Sequence, residues 1–307
     1  MKKNRFFALI CSVFLAFLCF ESSLVCVLAD SQTAEEALEE HMALPIESNE
    51  YENWPEGPIV GSESACLMEV ETGTILYAKN MDTPEFPAST TKVMTCLLAA
   101  ENSSMDEMVT FSKEAVFGIE KDSSNVGMDV GQSITMEQAL YCIMLASANE
   151  VASAVAEHVG GSIDGFADMM NKKAKELGCT NTHFVNANGL HNEEHYTTAH
   201  DLALITAEYF KNEQLRKIAN TTYYEMEATR TQPDSFGISN HHKMLPGKAY
   251  AYDYIIGGKT GVTSAAGYCL IIASRDENDK LYITEVFKSD SYDNLYNDMN
   301  ELLKLCK

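Results

Sequence analysis

Basic residues are scarce in this chain. Lysine and arginine number 22 against 45 aspartates and glutamates, a net charge of −23 over 307 residues. That balance argues against binding nucleic acid or an anionic lipid surface, and it leaves the fold open. The sequence also has no C-x-x-C pair, so structural zinc held by cysteine lacks its usual ligand spacing. No internal repeat is present. After residue 20 no stretch is apolar enough for the ~20 residues that a spanning helix needs.

What is present begins with MKKNRFFALICSVFLAFLCFESSLVCVLAD. Lys2, Lys3 and Arg5 precede an apolar run at 6–20, and Val27, Leu28 and Ala29 offer a cleavage site, so residues 1–29 read as a secretory signal. Cutting after Ala29 leaves 278 residues with a net charge of −25. An exported protein, secreted or held by an uncleaved signal, is expected, with no C-terminal membrane anchor and a monomeric state. Residues 30–58 are acidic with no sustained apolar face, and read as a flexible spacer with a helical turn near 34–40. The folded domain is expected at 59–307, without a second C-terminal domain. Six cysteines remain, Cys66, Cys96, Cys142, Cys179, Cys269 and Cys306. They are widely scattered in a domain large enough to build its own core, so buried free thiols are expected rather than disulfides.

SACLMEVETGTILYAKN alternates about a Glu71-Thr72-Gly73 turn and predicts a hairpin. Residues 134–159 predict two helices, the first opened by a Thr135/Gln138 capping box and the pair broken at Ser147-Ala148-Asn149. Further helices are expected at 163–177, capped by Ser162 and Gly178, and from Thr198 to about residue 218. Runs at 252–257, 268–274 and 281–288 read as strands, and DNLYNDMNELLKLC as a closing helix. Strands at both chain ends with helices between them predict an α/β (α+β) fold. Its sheet is built from both termini, with a helical block packed on it.

Three segments place polar groups where the local pattern predicts burial. In PASTTKVMT, Ser89 and Lys92 stand three apart, within reach on one helical face. A serine needs a base, and a lysine becomes one when burial and a second cation lower its pKa. Lys259 is a candidate for that cation. In LASANE, Ser147 and Asn149 interrupt an apolar helix pair. In IIGGKTGVTSAAGYC, Lys259, Thr260 and Gly261 fall on a strand whose glycines permit close backbone approach. Each segment alone has a bland reading: a capped surface helix, a polar kink, a glycine-rich hairpin. Their joint order, S-x-x-K, S-x-N and K-T-G at separations of 58 and 112 residues, is that of penicillin-recognising serine enzymes.

The resemblance extends beyond the motifs. SITMEQALYCIMLASANEVASAVAEHVGGSIDGFADMMNKKAKELGCTNTHFVNANGL, with FPASTTKVMT and GGKTGVTSAAGYCL, is similar to the D-alanyl-D-alanine carboxypeptidases. These are the low-molecular-weight penicillin-binding proteins of peptidase family S11. The resemblance implies a β-lactamase/transpeptidase-like fold and an acyl-enzyme on Ser89, with Lys92 as base. It implies that Ser147 serves proton transfer and Asn149 the substrate amide. Lys259 and Thr260 would hold the substrate carboxylate and support Ser147. The N–H groups of Ser89 and Val262, beside Gly261, would form the oxyanion hole. The implied substrate is a peptidoglycan stem peptide ending in D-Ala-D-Ala, with β-lactams as covalent inhibitors and no cofactor or metal.

One departure stands out: SDSYDNLYNDMN lacks the arginine that some relatives place near the start of the last helix, by the substrate carboxylate. A D,D-endopeptidase would use the same residues. A class A β-lactamase would need an E-x-x-L-N-like loop that is absent here, and a silent peptidoglycan or β-lactam sensor would not need the intact trio. His183, His191, His195, His200, His241 and His242 read as structural or solvent-facing rather than metal ligands.

Overall fold

The computed structural model describes residues 35–228 and 234–306; the expected signal at 1–29 lies outside them. Residues 35–43 are helical and form a unit of their own. The remainder builds, in chain order, β1 (Ser64–Glu69), β2 (Ile75–Lys79), α1 (Lys92–Asn102), β3 (Met108–Thr110) and α2 (Lys113–Phe117). Then come β4 (Ser133–Thr135), α3 (Met136–Leu145), α4 (Asn149–Gly160), α5 (Ile163–Glu176), α6 (Ala199–Lys211) and α7 (Glu213–Ala219). The chain closes with β5 (Tyr223–Met226), β6 (Phe236–Ser239), β7 (Ile255–Thr263), β8 (Gly267–Arg275), β9 (Leu281–Ser289) and α8 (Tyr292–Leu303).

The expected sheet from both chain ends is present: five antiparallel strands in the order β2-β1-β9-β8-β7. Side chains of a strand alternate between faces, and both faces are covered. Cys66, Met68, Ile271, Ala273, Ile283 and Phe287 join the core beneath the helical block. Ala65, Leu67, Leu270, Ile272, Tyr282 and Val286 join a second core closed by α8 through Leu295, Met299 and Leu302. This is why all six residues of β1 are buried. The capping box at Thr135 and Gln138 forms as expected, as do the Ser162 cap of α5 and the left-handed Gly178 beyond its end. All six cysteines are free thiols. Among the described residues, no helix is long and apolar enough to cross a membrane.

Three expectations need correction. The spacer expected through residue 58 ends sooner, because residues 46–58 cover the outer edge of β2. Ala78 N–H donates to Ser48 Oγ (3.1 Å), Trp54 Nε1–H to the Leu76 carbonyl (2.9 Å), and the Tyr77 hydroxyl to the Pro58 carbonyl (3.0 Å). An edge strand offers unpaired backbone groups, and polar side chains satisfy them without any apolar periodicity. The helix expected from Thr198 to 218 is two helices, because the Asn212 side chain accepts from the N–H groups of Gln214 and Leu215 and starts α7 afresh. The strand expected at 252–257 is β7, shifted toward the C-terminus so that it contains the whole K-T-G segment.

Candidate active site

Pro87 leads into a 3-10 turn, Ala88–Thr91, before α1 begins at Lys92. The expected helix start at Ser89 is therefore one tighter turn. Ala88 has φ 47°, a left-handed conformation that a non-glycine residue adopts only when its surroundings impose it. They do so from several sides. The Thr90 hydroxyl donates to the Pro87 carbonyl (2.6 Å), and the Thr95 hydroxyl to the Ala187 carbonyl (2.6 Å). Thr91 Oγ1 lies 2.8 Å from His195 Nε2, while His195 Nδ1 accepts from Val185 N–H. Burial lowers the His195 pKa to about 3, so this neutral ring is a strut, in line with the structural reading of the loop histidines. Gly189 has φ 78°, and a Cβ there would sit 1.8 Å from the Ala88 carbonyl oxygen, so only glycine lets this loop close on the turn. The outcome is a half-exposed Ser89 above buried Thr90, Thr91 and Lys92.

Lys92 Nζ has three partners: Ser89 Oγ at 2.9 Å, Asn149 Oδ1 at 2.7 Å and the Asn188 carbonyl. Burial, and secondarily the nearby Lys259, hold its pKa well below that of an ordinary lysine. In the neutral amine only two hydrogens remain. Asn149 Oδ1 and the Asn188 carbonyl can only accept, so they take both, and the lone pair is left facing the Ser89 hydroxyl. Asn188 went unnoticed in the sequence because it contributes a main-chain carbonyl, which no residue type announces.

Ser147 sits in the break between α3 and α4 with φ 59°. Its hydroxyl is 3.1 Å from Lys259 Nζ, which also donates to the Thr260 carbonyl (2.8 Å). Burial lowers the Lys259 pKa to about 7. Asn149, the first residue of α4, is fixed by its own N–H to the Ser124 carbonyl (2.8 Å).

Lys259, Thr260, Gly261 and Val262 lie on β7, the outer strand of the sheet, which runs against the Ser89 turn. A Cβ at Gly261 would meet Pro87 O and Ser89 N at 2.9 Å, so glycine allows the strand backbone and the Ser89 amide to converge. Ser89, Ser147, Thr260, Gly261 and Val262 share one cavity of about 640 Å³. The eight residues singled out from the sequence are thus assembled around it, with Lys92, Asn149 and Lys259 buried behind its wall. The cavity's remaining wall includes Ser124, His241, Lys243 and Lys248 from loops and Tyr292 from the first turn of α8, none of them part of a motif that marks a site in the sequence. Among the described residues, no group of three His, Cys, Asp or Glu side chains is arranged to hold a metal ion.

A model of the Peptidase S11 family, described as D-alanyl-D-alanine carboxypeptidase, matches residues 52–291. D-alanyl-D-alanine carboxypeptidase DacF of Bacillus subtilis is 36% identical over 222 residues, covering 71% of this chain and 55% of that protein. The D-alanyl-D-alanine carboxypeptidase of Streptomyces sp. (strain K15) is 33% identical over 226 residues, covering 71% of this chain and 77% of the relative. The chain thus spans little more than half of the first of these. The crystal structure of the Streptomyces K15 DD-transpeptidase superposes with a TM-score of 0.76 at 30% identity, over 82% of this chain and 98% of that one. The structure of DacD from Francisella tularensis gives 0.73 at 26% identity, over 82% and 71%.

Proposed function

The chain belongs to the D-alanyl-D-alanine carboxypeptidase family, peptidase S11, and on that premise we propose that it is a serine-type D,D-carboxypeptidase of peptidoglycan stem peptides ending in D-Ala-D-Ala. The observation that carries this reading is the set of partners of Lys92: two obligate acceptors and one hydroxyl, around an amine that burial keeps neutral. A non-catalytic binding domain has no need of such an arrangement.

In this mechanism Ser89 Oγ attacks the carbonyl carbon of the penultimate D-Ala as Lys92 Nζ takes the hydroxyl proton. The oxyanion that forms is held by the N–H groups of Ser89 and Val262, each such donor stabilising the transition state by about 3 kcal/mol in other hydrolases. The C–N bond breaks and the amine of the terminal D-Ala departs with a proton delivered through Ser147, which Lys259 supports. Lys92, neutral again, then deprotonates the water that cleaves the acyl-enzyme and restores Ser89. The balance is one water consumed, with one D-Ala and one shortened peptide released. β-Lactams would acylate the same hydroxyl and leave slowly. Such an enzyme works outside the cytoplasm, where its substrate lies, consistent with the signal read at 1–29.

The test is release of D-Ala from diacyl-L-Lys-D-Ala-D-Ala by the purified protein beside a Ser89→Ala control. Release by the wild type alone is expected. Release that persists in Ser89→Ala, or none from either protein, would overturn the reading.

A further inference from the structure

The loop 119–127 stands between two cavities. Ser124 lines the one that holds Ser89 and the K-T-G strand. Ile119, Glu120, Lys121, Asp122, Asn125 and Gly127 help to line a second, of about 330 Å³, on the far side of the same loop. The loop is thus a partition, and none of its residues is buried. Packing of that kind holds a backbone weakly. Its internal bonds, Ser123 N–H to the Glu120 carbonyl (3.2 Å) and Asn125 Nδ2 to the Ser123 carbonyl (2.8 Å), shape the turn without attaching it to anything else.

The two residues that open α4 do attach it. Asn149 N–H donates to the Ser124 carbonyl (2.8 Å), and Glu150 Oε1 accepts from Val126 N–H (2.7 Å). These bonds flank Asn125 and run in opposite directions, so together they fix where the loop lies and which way it faces. Glu150 is 2% exposed and does not line the catalytic cavity itself. The helix that carries it is packed on α1, α2, α3 and α5, with Val151, Ala152, Ala154 and Val155 fully buried. The carboxyl therefore reaches from a rigid element into a weakly packed one. Burial raises its pKa, against the opposing pull of the Val126 and Met128 N–H groups in the loop and those of Glu150 and Val151 in the helix. A carboxyl is costly at such a place. A leucine would fill the space, but it would offer Val126 N–H no acceptor.

We propose that Glu150 is a positioning residue for the reaction at Ser89: from inside the helical block it clasps the loop 119–127 and so sets the Ser124 wall of the cavity that Thr260 and Gly261 share. The inference rests on the carboxypeptidase reading above and assigns a residue outside the three motifs. Its effect falls on substrate binding. Ser89, Lys92 and Ser147 are held by other elements, namely the braced 3-10 turn, α1 and the break before α4.

The experiment compares wild type, Glu150→Ala and Glu150→Gln on diacyl-L-Lys-D-Ala-D-Ala. The charge of Glu150 also bears on Lys92, so the kinetics are compared on the plateau of the pH profile. Glu150→Ala should raise KM about 10-fold, the factor one hydrogen bond is worth when it sets the loop's equilibrium, with kcat little changed. Glu150→Gln keeps an acceptor for Val126 N–H and should restore KM to within a few-fold of wild type. A lower kcat at unchanged KM in Glu150→Ala, the mark of a smaller folded fraction, overturns the proposal, and so does a Gln variant as impaired as Ala. Should Glu150→Ala fail to fold, Val126→Pro removes the same bond from the loop side. KM should then rise as much in Val126→Pro with Glu150→Gln as in Val126→Pro alone; a further rise in the double variant overturns the clasp. If the wild type releases no D-Ala, the carboxypeptidase reading fails, and trypsin decides the clasp by cutting after the exposed Lys121. Cleavage there about 10-fold faster in Glu150→Ala or Val126→Pro, and at the wild-type rate in Glu150→Gln, supports it. Equal rates in all of them overturn it.

Discussion

Lys259 and Glu285 stand in one cross-strand row on one face of the sheet. The register runs Ala78, Cys66, Glu285, Ile271, Lys259 from β2 to β7. Two strand spacings, about 10 Å, separate the lysine from the acid. Both are essentially fully buried, and burial drives both toward the neutral form, lowering the lysine to about 7 and raising the acid well above the carboxylate range. Their surroundings differ completely. Lys259 is on the outer strand and reaches Ser147 in the break between α3 and α4. Glu285 is on the central strand β9, beneath α6, and neither carboxyl oxygen has a hydrogen-bond partner among the described residues. Burial of an ionisable group is therefore no sign of a site by itself. The sign is burial together with partners that leave one direction open toward a cavity.

The sharpest way to break this distinction is at Lys92, where every partner is accounted for. Lys92→Met removes the base while leaving the Ser89 turn braced by Thr90, Thr95, His195 and Gly189. Acylation by peptide should fall about 10²- to 10⁴-fold, the range general-base removal gives, with the fold retained by circular dichroism. A variant acylating within a few-fold of wild type would mean that the three-partner arrangement is structural only.

The same contrast explains what was legible in the sequence. Ser89, Lys92, Ser147, Asn149 and the Lys259-Thr260-Gly261-Val262 run could be read because each is a side chain, or a glycine, whose type is unusual where it stands. The hairpin, the capping box at Thr135 and the closing helix were legible because hydrophobic period and cap chemistry are local. What stayed hidden depends on long-range contact. The Asn188 carbonyl matters only because its loop closes on Ala88. The cover over β2 by residues 46–58 uses single polar contacts rather than a periodic face. The small β5–β6 pairing escaped notice because each strand has only four residues. Glu285, in LYITEVFKS, carries the same local signal as a functional residue, an acid in an apolar strand, and only the structure separates it from Lys259.

A smaller effect is expected at Lys259, and it is an effect of pH. The Lys92 pKa is lowered first by burial and then by the charge of Lys259. Lys259→Gln leaves the first cause and removes the second, so the Lys92 pKa rises. Activity that needs the neutral amine then appears at higher pH, and the acid limb of the pH profile of kcat/KM should move toward alkaline values. A limb that stays in place or moves to lower pH would show that Lys259 does not act on Lys92 electrostatically. Stability carries a second signature. Between about pH 7 and the ordinary lysine value of ~10.4, the unfolded chain holds a proton at this position that the folded protein does not. This group therefore makes stability rise with pH across that window, and the Gln variant should lose that rise.

Glu285 should do the opposite, and it should leave chemistry alone. Its folded pKa is raised, so above the ordinary glutamate value of ~4.3 the unfolded chain ionises while the folded protein stays protonated. Stability contributed by this group is full below that pH and is lost as pH rises toward the folded value. Glu285→Leu keeps a similar volume, removes a carboxyl without partners, and abolishes the decline. Urea unfolding should find the variant more stable by about 1–3 kcal/mol at neutral pH, the usual cost of burying an unsatisfied polar group. The gain should shrink on acidification, and D-Ala release should match wild type. Because Glu285 and Lys259 share one row of the sheet, the two pH slopes can be read in the same titration, rising for the lysine and falling for the acid. A Glu285→Leu protein that is less stable, or that loses activity, would mean the carboxyl is a working part of the row, and the line drawn between partnered and unpartnered buried charges would be in the wrong place.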